Sequence, residues 1–211
     1  MKLQVALDEL KLNDAIKLIE DIREYVDIIE IGTPFIIAEG VHAVRKFKEL
    51  FPEKEILSDE KIMDGGYFEA ELGFEAGADY VTVLSVTDNL TIQGCLKSAN
   101  EQGKKVVADM LCCADLSTRV QELESMGVHI LAVHTGADQQ AEGRRPIDDL
   151  KLMKTLVNKA QVAVAGGINS KTVKDYVALD PDIIIVGSAI SNASNPVEEA
   201  RLIKAALKER V

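Results

Sequence analysis

The chain has 211 residues, enough for one large domain or two small ones, with an ordinary globular balance of 47% hydrophobic and 28% charged side chains. Its 24 basic and 35 acidic side chains leave a net charge of −11, which argues against nucleic acid as the main partner but leaves room for a small phosphorylated ligand held locally. No run of about eighteen apolar residues occurs, so no membrane span is expected, and the opening MKLQVALDELK meets charge too early for a signal peptide, so the cytoplasm is the expected compartment.

Short β-branched runs alternate with amphipathic stretches along the chain. The first run, LQVAL (3–7), ends at Asp8 and gives way to NDAIKLIEDIREY, where Ile16, Ile19 and Ile22 recur every third residue as one buried helix face requires. VDIIEIG (26–32) carries Glu30, and a helical stretch with His42 leads to EILSDEK (55–61), which holds Asp59, Glu60 and Lys61 with Asp64 just beyond. YVTVLSV (80–86), KVVADML (105–111) with Asp109, and HILAVHT (129–135) with His134 follow. QVAVAGG (161–167), DIIIVGS (182–188) and the helical NPVEEARLIKAALKER complete the series. Gly77, Gly103 and Gly127 fit helix C-terminal caps before strands, and Asp14, Asp88, Ser117, Ser170 and Asn195 sit near expected helix starts.

Eight strands, each followed by a helix and without a long insertion, indicate a single-domain (β/α)8 TIM barrel over residues 1–211. A repeat of about 25 residues is short for this fold and leaves no room for a second domain. A doubly wound open sheet is the competing architecture; the absence of GxGxxG after the first strand weighs against it.

In such a barrel the C-terminal strand ends build the active site. Strand alternation puts Asp59 and Lys61 on one face and Glu60 on the other. Asp8, Glu30 and Asp59 come from neighbouring strands and are expected at one level. Buried carboxylates need a partner or a metal, and a hard divalent cation such as Mg²⁺ suits oxygen ligands. A structural ion-pair network at the rim is the competing reading; four acids and a lysine at the same end favour a site. Lys61 as a Schiff-base nucleophile would need a depressed pKa. Asp59 and Asp64 push the other way, so Lys61 is expected to donate hydrogen bonds to a substrate oxygen.

Gly166-Gly167 and Gly187-Ser188 follow the seventh and eighth strands, where backbone N–H groups can approach a phosphate; tight strand-to-loop turns are the alternative. His134 at the rim is the evident group that titrates near neutrality. His42 and His129 are read as structural, Asp109 leans toward the site, and Arg144 and Arg145 belong to a solvated loop. Cys95, Cys112 and Cys113 lack metal-ligand spacing and a histidine nearby in sequence, and fit reduced structural thiols.

SDEKIMD carries the D-x-K-x-x-D pattern of the orotidine 5′-phosphate decarboxylase superfamily. Together with VALD, IEIGTPFI, VHTGADQQ, AVAGGIN and VGSAI, it resembles the branch holding hexulose phosphate synthases and 3-keto-L-gulonate 6-phosphate decarboxylases, over nearly the whole chain. The resemblance implies a homodimeric barrel that uses Mg²⁺ on a sugar phosphate. It implies Glu30 and Asp59 as metal ligands, Asp8, Asp59 and Lys61 in one subunit's site, and Asp64 entering the partner's site. It further implies His134 in proton transfer and Gly166, Gly167, Gly187 and Ser188 in the phosphate loops. Orotidine decarboxylases lack the strand-two glutamate that Glu30 supplies. The keto-gulonate decarboxylase pattern has arginines where Ala137 and Ser188 stand, so both departures favour the synthases. The implied reaction joins formaldehyde to D-ribulose 5-phosphate through a Mg-stabilised enediolate. The decarboxylase, or a sugar-phosphate-binding protein without turnover, is the alternative.

Overall fold

The computed structural model describes residues 1–209; the last two residues of the expected 1–211 unit, and the side chain of Ala137, lie outside that description. Eight parallel strands close into a barrel in chain order: β1 (Lys2–Leu7), β2 (Ile28–Ile31), β3 (Glu55–Ile62), β4 (Tyr80–Leu84), β5 (Lys105–Asp109), β6 (Ile130–His134), β7 (Gln161–Ala165) and β8 (Ile183–Val186). Closure is made by β1 against β8, with Lys2 opposite Ile183 and Val5 opposite Val186. The open doubly wound sheet is thereby excluded.

Eleven helices surround the barrel among the described residues: α1 (Leu12–Ile22), α2 (Thr33–Glu39), α3 (His42–Leu50), α4 (Gly66–Glu75), α5 (Asn89–Gln102), α6 (Leu116–Met126), α7 (Ala137–Ala141), α8 (Ile147–Leu156), α9 (Val173–Val177), α10 (Ser188–Ser191) and α11 (Pro196–Lys208). None is long and apolar enough to cross a membrane. The buried α1 face is Ala15, Leu18, Ile19 and Ile22, with Ile16 partly buried beside it. A fully buried isoleucine such as Ile19 or Ile22 contributes about 1.5–3 kcal/mol.

Alternation along the strands makes two layers. Outward residues such as Val5, Ile29, Ile56, Val81 and Val106 pack under the helices. Inward residues Ile28, Leu57, Tyr80, Val107, Ile130, Ala132, Ala163 and Ile183 form a small apolar plug. That plug stops short of the C-terminal rim, which leaves the rim to polar side chains.

Asp88 and Asn195 cap α5 and α11 through the backbone N–H groups of Leu90 and Glu198. Gly103 and Gly127 end α5 and α6 at φ 65° and 87°, and Gly77 follows α4 at φ 105°, conformations that glycine adopts without strain. The other three lie near helix starts without capping them. Asp14 lies inside the first turn of α1, where its charge suits the helix dipole. Asp115, not Ser117, caps α6. Ser170 is tied to Glu199 by its amide and its hydroxyl, while α9 begins later, after Thr172.

Candidate active site

β3, the longest strand, carries charge along its last residues into the rim. Its register against β4 slips between Ser58 and Ile62, and Lys61 takes a left-handed φ of 48°. A non-glycine residue pays for that conformation, and such strain gathers at functional sites. The Lys61 amide is compensated by Thr82 Oγ1 at 2.9 Å. Asp59 and Lys61 face the barrel axis. Glu60 points outward, bonds Ser58 Oγ at 2.7 Å and is pushed up to about 7 by burial.

The rim opens into a cavity of about 1150 Å³ lined by Asp8, Glu30, Asp59, Lys61, Asp109, His134, Gly166, Gly167, Gly187 and Ser188, among others. A chain of charged contacts crosses it. Lys61 Nζ donates to Asp59 Oδ2 at 2.6 Å and to Asp109 Oδ2 at 3.2 Å, and His134 Nδ1 meets the same Asp109 oxygen at 2.9 Å. Asp59 also accepts Thr33 Oγ1 at 2.9 Å and Thr82 Oγ1 at 2.7 Å. Asp109 Oδ1 accepts the Leu111 amide at 2.9 Å.

These contacts set the protonation states. Burial opposes the Lys61 ammonium, but Asp59 and Asp109 outweigh it and raise its pKa. Burial likewise opposes the Asp109 carboxylate, yet His134, Lys61 and the Leu111 amide hold it below the usual range. An ionised Asp109 can only accept, so His134 Nδ1 carries a proton in this contact, and in the neutral imidazole the lone pair is then on Nε2.

Glu30 differs from the other acids. It is in register with Ala6 and Leu57, two residues short of Asp8 and Asp59 along their strands, so it sits deeper than the common level expected. Burial and the neighbouring Asp59 charge raise it to about 8, against one opposing hydrogen bond from Gln4 Nε2 at 2.6 Å. Asp8 is raised by burial and by Asp59. It lies against Gly32, where a Cβ would collide with its carboxylate and stand 2.6 Å from Leu7 O. Only a glycine lets Asp8 turn in over β2.

Across the cavity, Gly166 and Gly167 have φ of 125° and 66°. A Cβ on Gly166 would come within 2.9 Å of Thr135 O, so bare backbone faces the cavity there. Gly187 and Ser188 open the short α10 on the same side.

Asp64 does not join this cavity. It is exposed beyond β3, with Oδ1 accepting the Gly65 amide at 2.7 Å. The second carboxylate on Lys61 is therefore Asp109, not Asp64 as expected, because the turn at Lys61 carries the chain out of the rim. Arg144 and Arg145 are exposed; Arg144 pairs with Asp149 at 2.9 Å, and both line a smaller cavity of about 300 Å³ behind Gly166 and Gly167. His129 accepts the Val106 amide at the opposite barrel end, a structural role. Gln4, Gly32, Thr33 and Thr82 were not singled out by sequence, since such residues are common in strands and turns.

Among the described residues no group of three or more His, Cys, Asp or Glu forms a metal cage. Two carboxylates are nevertheless a sufficient protein share for Mg²⁺, which keeps waters and takes substrate oxygens. Glu30 fits that role: it is a buried acid whose one hydrogen bond comes from a neutral amide.

Residues 1–203 match the orotidine 5′-phosphate decarboxylase / HUMPS family. A Staphylococcus epidermidis protein named 3-hexulose-6-phosphate synthase is 44% identical over 208 residues, 99% of each chain. The crystal structure of 3-hexulose-6-phosphate synthase from Salmonella typhimurium is similar at 58% identity and a TM-score of 0.99, covering 100% of both chains. A crystal structure of KGPDC from Streptococcus mutans is similar at 26% identity and a TM-score of 0.91, over 99% of this chain and 98% of that one.

Proposed function

This chain belongs to the orotidine 5′-phosphate decarboxylase / HUMPS family, and we propose that it condenses formaldehyde with D-ribulose 5-phosphate to D-arabino-3-hexulose 6-phosphate, reversibly, as a carbon–carbon lyase. The observation that carries the reading is the Asp59–Lys61–Asp109–His134 chain, at 2.6, 3.2 and 2.9 Å, facing a glycine-built backbone wall in one cavity. The names of the two synthases that this chain resembles support it. The keto-gulonate decarboxylase alternative is disfavoured by Ala137 and Ser188, which stand where that pattern has arginines.

The backbone at Gly166, Gly167, Gly187 and Ser188 holds the phosphate, whose binding energy orients the distant reacting end. Asp8 and Lys61 bind the sugar hydroxyls between. Glu30 and Asp59 would hold Mg²⁺, which supplies Lewis acidity toward the ketose oxygens when bound. His134 Nε2 takes a proton from C1, and Asp109 keeps the imidazole in that tautomer. Lys61, held charged by Asp59 and Asp109, donates to the enediolate oxygen. C1 then attacks the formaldehyde carbon, and the imidazolium returns its proton to the new alkoxide.

The assembly in this reading is a homodimer. Met63, Phe68, Leu72 and Leu90, exposed by 53, 72, 56 and 76%, crowd the face around α4 and the start of α5, an apolar patch that water does not favour. Asp64 lies at its edge and would reach the partner's site. The free thiols Cys95, Cys112 and Cys113 fit a reducing cytoplasm.

The test is hydrogen exchange at C1. With D-ribulose 5-phosphate in deuterated water and no formaldehyde, the protein should replace one C1 hydrogen. His134→Asn should lower exchange and condensation together by about 10²–10⁴-fold. Wild-type exchange in His134→Asn would remove His134 as the base.

A further inference from the structure

Gln4 sits on the cavity floor at 2% exposure, opposite Ile28 of β2. The inward plug residues around it, among them Ile28 and the partly buried Ile185 that pair with Gln4 on either side, are apolar. A buried amide among them costs free energy unless it is hydrogen-bonded, and an aliphatic side chain would extend the plug. The bond Gln4 makes is to Glu30, with Nε2 donating to Oε2 at 2.6 Å. A neutral donor orients a carboxylate without cancelling its charge.

The two acids of the proposed cation pair are supported differently. Both oxygens of Asp59 receive donors, from Thr82 on one side and from Thr33 and Lys61 on the other. The hydrogen bonds of Lys61 Nζ go to Asp59 and Asp109 rather than to Glu30. Glu30 is thus fixed through Oε2 by an uncharged partner, which leaves Oε1 for an ion. Partners behind a metal ligand govern its orientation, and their loss weakens affinity.

We propose that Gln4 is a positioning residue for the divalent cation: its amide clamps Glu30 Oε2 so that Oε1 is presented to the ion. This rests on reading Glu30 and Asp59 as the cation's ligands. The role is distinct from packing, because a methionine of similar length fills the same space without a donor.

The test is a Mn²⁺ titration of wild type, Gln4→Met and Glu30→Gln, read from the paramagnetic resonance signal of the free ion. Gln4→Met should bind Mn²⁺ about 10–100-fold more weakly, while its affinity for inorganic phosphate stays at the wild-type value. Wild-type Mn²⁺ affinity in Gln4→Met beside a weakened Glu30→Gln would overturn the assignment of Gln4 alone. Wild-type affinity in both variants would overturn Glu30 as a ligand and Gln4 with it. The unsubstituted protein supplies a second readout that does not depend on the variant folding. Mg²⁺ should shift the Gln4 side-chain amide resonance of ¹⁵N-labelled protein, and an unmoved resonance at saturating Mg²⁺ contradicts the proposal.

Discussion

Replacing Asp109 by asparagine tests the charged chain at its joint. One oxygen of Asp109 meets both His134 Nδ1 at 2.9 Å and Lys61 Nζ at 3.2 Å, and the other accepts the Leu111 amide at 2.9 Å. Asparagine keeps the shape but has one acceptor and one donor. If its amide nitrogen faces Lys61 and His134, donor meets donor there; if it flips, donor meets the Leu111 N–H. Either way a hydrogen bond to a charged group is lost, worth about 1.5–3 kcal/mol, which is roughly 10–100-fold in rate. An imidazole that turns to the other tautomer loses its free Nε2 lone pair altogether, so this range is a lower bound on the effect. The assay is C1 deuterium exchange of D-ribulose 5-phosphate without formaldehyde, followed by proton NMR, with phosphate binding as the control. Exchange in Asp109→Asn within about twofold of wild type would refute the tautomer argument.

The shared site can be tested by mixing. Asp64→Ala and Lys61→Ala subunits, each inactive alone, should regain activity on forming heterodimers if Asp64 serves the neighbouring site; no recovery after verified exchange would contradict it. Asp59 and Asp109 raise the pKa of Lys61, so the ammonium persists across the working pH range and no imine should form. Borohydride added during turnover should leave activity intact, and covalent substrate on Lys61 would overturn the hydrogen-bonding role.

Much of the barrel is written in local pattern. Alternation carried Asp59 and Lys61 to the inner face and Glu60 to the outer one, because a period of two survives along β3 as far as Lys61. The same rule says nothing about the left-handed turn at Lys61, and so it misjudged which second acid the ammonium meets. Asp64 is three residues away in sequence, but the turn points it into solvent; Asp109 is 48 residues away and the barrel brings it to 3.2 Å. Helix starts were legible where the capping side chain stands just ahead of the first turn, as at Asp88 and Asn195. At Ser117 and Ser170 a helix does start nearby, but the serine is not its cap, since serine is equally at home inside a first turn or in a loop. Gln4 and Gly32 matter through what lies against them, Glu30 and Asp8, and no short spacing encodes a contact between strands.

Formaldehyde consumption in the presence of D-ribulose 5-phosphate decides the reaction, run with Mg²⁺, after chelation, and after Mg²⁺ is returned. One formaldehyde should be consumed per ketose phosphate, with loss of turnover on chelation and recovery on adding the metal back. Formaldehyde left unconsumed by the Mg²⁺-loaded protein, with carbon dioxide released instead from 3-keto-L-gulonate 6-phosphate, would contradict it.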